Sequence, residues 1–113
     1  MHELSIAMGI VEIADKEAHK AGVSKFSGIE LVIGELSGVE LNSFDFAWQQ
    51  AIKGTVLGHS KLEIIRPPGK GKCLECGCEF EMQQIYDICP SCHSYFKDIT
   101  SGKELRVKSL LLD

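Results

Sequence analysis

Two pairs of cysteines, Cys73-x-x-Cys76 and Cys89-x-x-Cys92, carry the clearest chemistry in this chain, with twelve residues between the pairs. Each CxxC sets two sulfurs on one side of a tight turn. Two such turns facing each other make a tetrahedral cage, which suits zinc held by thiolates. A doubled CxxC with a short spacer is a far more specific pattern than a single one. Disulfides are the rival reading, but the five cysteines are odd in number and all fall within residues 73–92. The N-terminal MHELSIAMGIVEIADKE has acids where a secretory leader has bases. Reduced metal ligands follow, and the expected compartment is the cytoplasm.

Four thiolates leave zinc no open position, so the expected role is structural. Residues 69–97 offer few large apolar side chains, namely Phe80, Ile85, Tyr86, Tyr95 and Phe96. Metal must therefore supply much of their folding free energy, on the order of 10–16 kcal/mol for comparable sites. Iron in a rubredoxin-like cage is the redox alternative, but no electron-transfer motif accompanies it. Cys78 and His93 flank the four ligands, either as bystanders, with His93 hydrogen-bonding a sulfur, or as replacements for a thiolate.

His2 is a second candidate ligand. With the initiator methionine retained before a residue as large as His, the α-amine stays on Met1. The Met1 amine, the His2 amide nitrogen and the His2 imidazole then form adjoining chelate rings. Glu3, by its amide or its carboxylate, completes a square plane suited to Ni(II) or Cu(II). His19 sits near a helix C-terminus, where the dipole favours a cation, and His59 lies in a Gly-His-Ser loop. No Ser-His-Asp arrangement, phosphate-binding glycine loop or paired-carboxylate motif supports an enzyme.

The elements that must position these residues can be read from periodicity. The 113 residues suffice for one domain with a small appended module. The 44% hydrophobic and 25% charged content is that of a soluble globular chain, and no apolar run is long enough to span a bilayer. Residues 4–21 predict an amphipathic helix whose stripe is Leu4, Met8, Val11 and Ala18, with Ala7 and Ala14 beside it and Ile6, Ile10 and Ile13 widening it. Residues 28–34 predict a buried strand, followed by a second extended stretch, ELSGVEL. Asn42 is the expected cap of a second helix that carries Phe44, Ala47, Trp48, Ala51 and Ile52 and ends at Gly54. Residues 61–66 predict a strand, and the Pro67–Gly71 run a domain boundary. Short strands are expected at 79–82 and 95–99. The apolar 104–112 predicts a last strand that returns to pair with 29–33 or 62–65.

The expected fold class is α+β: a small mixed sheet with two helices, plus an inserted zinc-ribbon module. Residues 1–68 and 98–113 would form an α/β domain that carries the His2 site, and 69–97 a zinc-binding domain. The net charge is -4. The 69–97 segment sets Lys70, Lys72 and Lys97 against Glu75, Glu79, Glu81 and Asp87, so the basic stripe of a nucleic-acid-binding ribbon is missing.

Met1-His2-Glu3, the stretch VIGELSGVE (32–40) and the CxxC…CPxCH module together resemble the HypA/HybF family, nickel metallochaperones for NiFe-hydrogenase maturation. The resemblance covers essentially the whole chain. It implies nickel bound by Met1, His2 and Glu3, zinc by Cys73, Cys76, Cys89 and Cys92, and an often-acidic position at Glu40. It also implies a partner GTPase, delivery to the hydrogenase large subunit, and urease as an additional client. One departure stands out. Some members have a histidine two residues after the first CxxC, and here that residue is Cys78, whereas His93 matches the histidine after the second pair. An exchange from four cysteines to two cysteines and two histidines cannot be transferred unchanged. A zinc-ribbon adaptor without nickel delivery is the alternative function.

Overall fold

A computed structural model describes residues 2–113. The chain order is α1 (Glu3–Ala21), β1 (Gly28–Ile33), α2 (Leu41–Ala51), β2 (Lys61–Ile65), β3 (Gly69–Cys73), β4 (Glu79–Met82), β5 (Lys97–Ser101) and β6 (Leu105–Leu111). Two three-stranded sheets result, ordered β2-β1-β6 and β4-β3-β5.

The first sheet is mixed. Lys61 N–H donates to Ser27 O and Glu35 N–H to Pro67 O, so β1 and β2 run the same way. Ser27 N–H donates to Leu111 O and Gly34 N–H to Glu104 O, so β6 runs against β1. A parallel neighbour needs a crossover, and α2 supplies it between β1 and β2. The last strand does return to β1. The chain between β2 and β6 builds a sheet of its own, with β3 antiparallel to both β4 and β5.

The chain forms two compact units: Met1–Leu31, Val39–Ile64 and Val107–Asp113 in one, and Val32–Gly38 and Ile65–Arg106 in the other. Residues 69–97 fall wholly within the second. In the first, α1 packs on α2, and α1 buries Ala7, Ala14 and Ala18 together with Ile10 and Val11. Leu4 and Met8, assigned to the apolar stripe by spacing, are instead 49% and 54% exposed. At 100° per residue the buried face centres on Ala7, Val11, Ala14 and Ala18, which leaves Leu4 and Met8 at its margin. α2 buries Phe44, Ala47 and Trp48. The Phe44 and Trp48 rings stack with centroids 5.7 Å apart. Gly22 stops α1 with φ of 69°.

Three local expectations are corrected. ELSGVEL is not a strand: Ser37 N–H bonds back to Gly34 O in a turn. The strand placed at 95–99 is Lys97–Ser101, because Ser94 already closes the second cysteine turn by accepting from Cys89 N–H. The glycine-rich run after Pro68 reads as a break but forms β3. A Cβ on Gly69 would collide with Met82 O, so glycine is what allows the strand to pack there.

Candidate metal centres

Each CxxC folds into the same knuckle. In the first, Cys73 O accepts from Gly77 N–H at 3.0 Å and Cys73 N–H donates to Cys78 O at 2.8 Å. In the second, Cys89 O accepts from His93 N–H at 2.9 Å and Cys89 N–H donates to Ser94 O at 3.0 Å. Backbone N–H groups also point at the leading sulfurs: those of Glu75 and Cys76 at Cys73 Sγ, and that of Ser91 at Cys89 Sγ, all at 3.4 Å. The fifth residue of each knuckle has positive φ, 76° at Gly77 and 64° at His93. Glycine adopts that conformation without cost, whereas His93 carries some strain.

The two knuckles bring the four sulfurs within 4.8 Å of one another. Cys73 Sγ lies 3.5 Å from Cys92 Sγ, and Cys76 Sγ 3.6 Å from Cys89 Sγ. Thiolates about 2.3 Å from a tetrahedral zinc stand about 3.8 Å apart, so the donor set and its spacing fit that ion. Cys73 and Cys89 are buried, while Cys76 and Cys92 are exposed. The cage polarises its own thiols. The Cys92 N–H, followed by that of Ser91, draws Cys89 down to about 6 against the opposing effect of burial. The Cys76 N–H likewise lowers Cys73. Cys76 goes the other way, to about 12: the Cys78 N–H lowers it, but the neighbouring Cys89 sulfur, burial and the Cys92 sulfur outweigh that bond. Cys92 is also raised, since the Cys73 sulfur and burial overcome the Ser94 N–H. A metal entering this group therefore displaces protons.

Cys78 and His93 are not in the four-sulfur group. The Cys78 sulfur accepts from Ser91 Oγ at 3.4 Å and lies 3.5 Å from Glu79 O.

At the other candidate site, His2 is exposed and serves as N-cap of α1, with φ of -100° and no side-chain cap bond. Its carbonyl accepts from Ile6 N–H at 2.9 Å, so His2 is anchored by its backbone and its imidazole is left outside the helix. Glu3 is the only buried charged residue among the described ones. Its Oε2 accepts from Glu40 N–H at 3.2 Å. Glu40, and not Asn42, caps α2. Its carboxylate accepts from Asn42 N–H, Ser43 N–H and Ser43 Oγ, each at 3.0 Å. Asn42 and Ser43 sit at the second and third helical positions, whose N–H groups lack helical partners. These bonds hold the Glu40 carboxyl below its ordinary value of 4.5, against burial and the charge of Glu3. The structure thus joins Glu3 to Glu40, thirty-seven residues apart, a link with no sequence signature. Met1 lies outside the described residues. His19 and His59 are exposed.

Residues 1–112 match the model of a family described as hydrogenase/urease nickel incorporation metallochaperones, HypA. The chain belongs to the HypA family. Its relatives include the hydrogenase maturation factor HypA of Parabacteroides distasonis, 46% identical over 99% of this chain and 97% of that one. The HypA of Chlorobaculum tepidum is 41% identical over the full length of both. Among solved structures, the solution structure of the nickel metallochaperone HypA from Helicobacter pylori superposes with a TM-score of 0.70. It is 27% identical, over 99% of this chain and 97% of that one. The HypA resemblance drawn from the terminus, the 32–40 stretch and the cysteine module therefore holds, as does the α+β class with its cysteine cluster.

Proposed function

We propose that this chain is a nickel carrier for hydrogenase maturation, with Ni(II) bound at its N-terminus and zinc in the cysteine cage. The full-length HypA family match carries this reading. Met1, His2 and Glu3 supply the nickel donors, and Cys73, Cys76, Cys89 and Cys92 hold zinc. The exposed imidazole of His2 and its amide ahead of the first helical turn support it. A ligand set at a chain terminus can be rearranged by a recipient, whereas a closed four-sulfur cage retains its ion. Because the buried Glu3 carboxylate already receives the Glu40 N–H, we assign the fourth planar position to the Glu3 amide nitrogen. Raw affinity favours copper over nickel, so planar geometry and metal supply set the choice.

On this reading the protein is not an enzyme. It works in the cytoplasm with a maturation GTPase and the hydrogenase large subunit, and without nucleic acid or membrane. No helix among the described residues is long and apolar enough to cross a membrane. The outer face of the second sheet mixes Lys70 and Lys72 with Glu79 and Glu81 across the strands, which supports the absence of a nucleic-acid stripe.

A nickel titration followed by visible absorption tests the proposal. His2→Ala, and separately an N-terminal extension that blocks the amine, should each abolish binding near neutral pH. An unchanged titration in both would refute the assignment.

A further inference from the structure

The first sheet ends on two unlike edges, β2 and β6. β2 presents both signs of charge, with Lys61 and Glu63 paired at 3.9 Å. β6 presents Arg106 and Lys108, both exposed, and neither has a carboxylate within ion-pair distance among the described residues. Two residues apart on a strand, they point to one face. Beside β6 runs a groove of about 490 Å³ whose lining includes Ile13, Glu17, Phe26, Lys108, Leu110 and Leu112. Its one acid, Glu17, is already engaged by Lys20 at 3.5 Å. The charge left open along this edge is therefore positive, and the rest of the lining is largely apolar.

We propose that the β6 edge and this groove form a docking site for an extended segment of a partner protein, with apolar side chains on one face and carboxylates on the other. A free strand edge offers a row of main-chain donors and acceptors that an added strand can satisfy. The carboxylates meet Arg106 and Lys108, and the apolar side chains, on the opposite face of the added strand, continue the sheet beside Val107 and Leu111. A second copy of this chain fits poorly. Antiparallel pairing of two β6 strands centred between Arg106 and Lys108 sets like charges against each other.

The test is an amide NMR titration of the full chain with two synthetic decapeptides, one alternating Glu and Val and the other Lys and Val. The Glu peptide should shift and protect amides of residues 105–112, with at least tenfold tighter binding than the Lys peptide. Lys108→Glu, an exposed change that leaves the fold and nickel binding intact, should abolish or reverse that preference. Equal binding of the two peptides, shifts confined to other residues, or an unchanged preference in Lys108→Glu would overturn the proposal. Protection of β6 by self-association without peptide would overturn it too, by making a second copy the occupant. Nickel titration of the same variant reads the terminal site independently.

Discussion

The two αL positions of the knuckles separate geometry from chemistry. Gly77 and His93 occupy equivalent places, yet only one is glycine. A Gly77→Ala variant puts a Cβ into that conformation at a cost of about 1–2 kcal/mol. Zinc affinity should fall by roughly tenfold, since about 1.4 kcal/mol is a factor of ten. Competition with a chromophoric chelator measures it, and undiminished affinity would mean the knuckle does not need that turn. His93 and Cys78 stand outside the cage. X-ray absorption at the zinc edge should therefore show four sulfur neighbours in wild type, Cys78→Ala and His93→Ala, and a loss of sulfur in Cys78→Ala would contradict the assignment. The cage also sets a pH dependence. Cys76 and Cys92 bind their protons more tightly than free thiols in the empty cage, and zinc must displace them. Zinc affinity should rise with pH through the neutral range and fall in acid, where even Cys89, drawn down to about 6, regains its proton.

At the scale of elements, the helices bear the first unit and the knuckles bear the second sheet. Trp48 is 1% exposed and stacked on Phe44. Trp48→Ala should cost about 3–5 kcal/mol, a large share of the roughly 5–15 kcal/mol of a whole domain. Urea unfolding followed by circular dichroism would show it as a lower midpoint. Glu40→Ala should also lower the melting temperature, by removing the cap of α2. Because the folded Glu40 pKa lies below 4.5, its contribution is present in full above that pH and is lost as pH falls through the folded value. The difference in melting temperature between wild type and Glu40→Ala should therefore shrink in acid.

These elements show what could be read from the sequence. Strong periodicity placed α1, β1, α2, β2, β4 and β6 to within a few residues, because apolar patterning reports burial directly. β3 was hidden because Gly69 and Gly71 are poor strand formers, chosen where Met82 crowds the backbone. The stripe of α1 differs from its apolar spacing because the buried face centres on Ala7, Val11, Ala14 and Ala18 and leaves Leu4 and Met8 at its margin. The cap of α2 lies two residues before Asn42 because the Glu40 side chain is long enough to reach two N–H groups. The cage was legible from spacing alone, whereas the Glu3–Glu40 bond depends on the tertiary arrangement of α1 and α2.

On the proposed function, the whole molecule keeps a structural ion apart from a transported one. The four sulfurs of the cage lie within 4.8 Å of one another, whereas His2 is exposed and anchored to α1 by its backbone. Removal of zinc by a strong chelator should unfold β3–β5 while most of the helical signal of α1 and α2 remains. Full loss of helix would show that the first unit depends on the metal as well.

Metal analysis after nickel loading and desalting, on wild type, His2→Ala and Cys73→Ser, tests the division of labour most directly. Wild type should retain both nickel and zinc in equal amounts, His2→Ala should keep its zinc and lose its nickel, and Cys73→Ser should lose zinc. Full retention of nickel by His2→Ala would contradict nickel binding at the N-terminus.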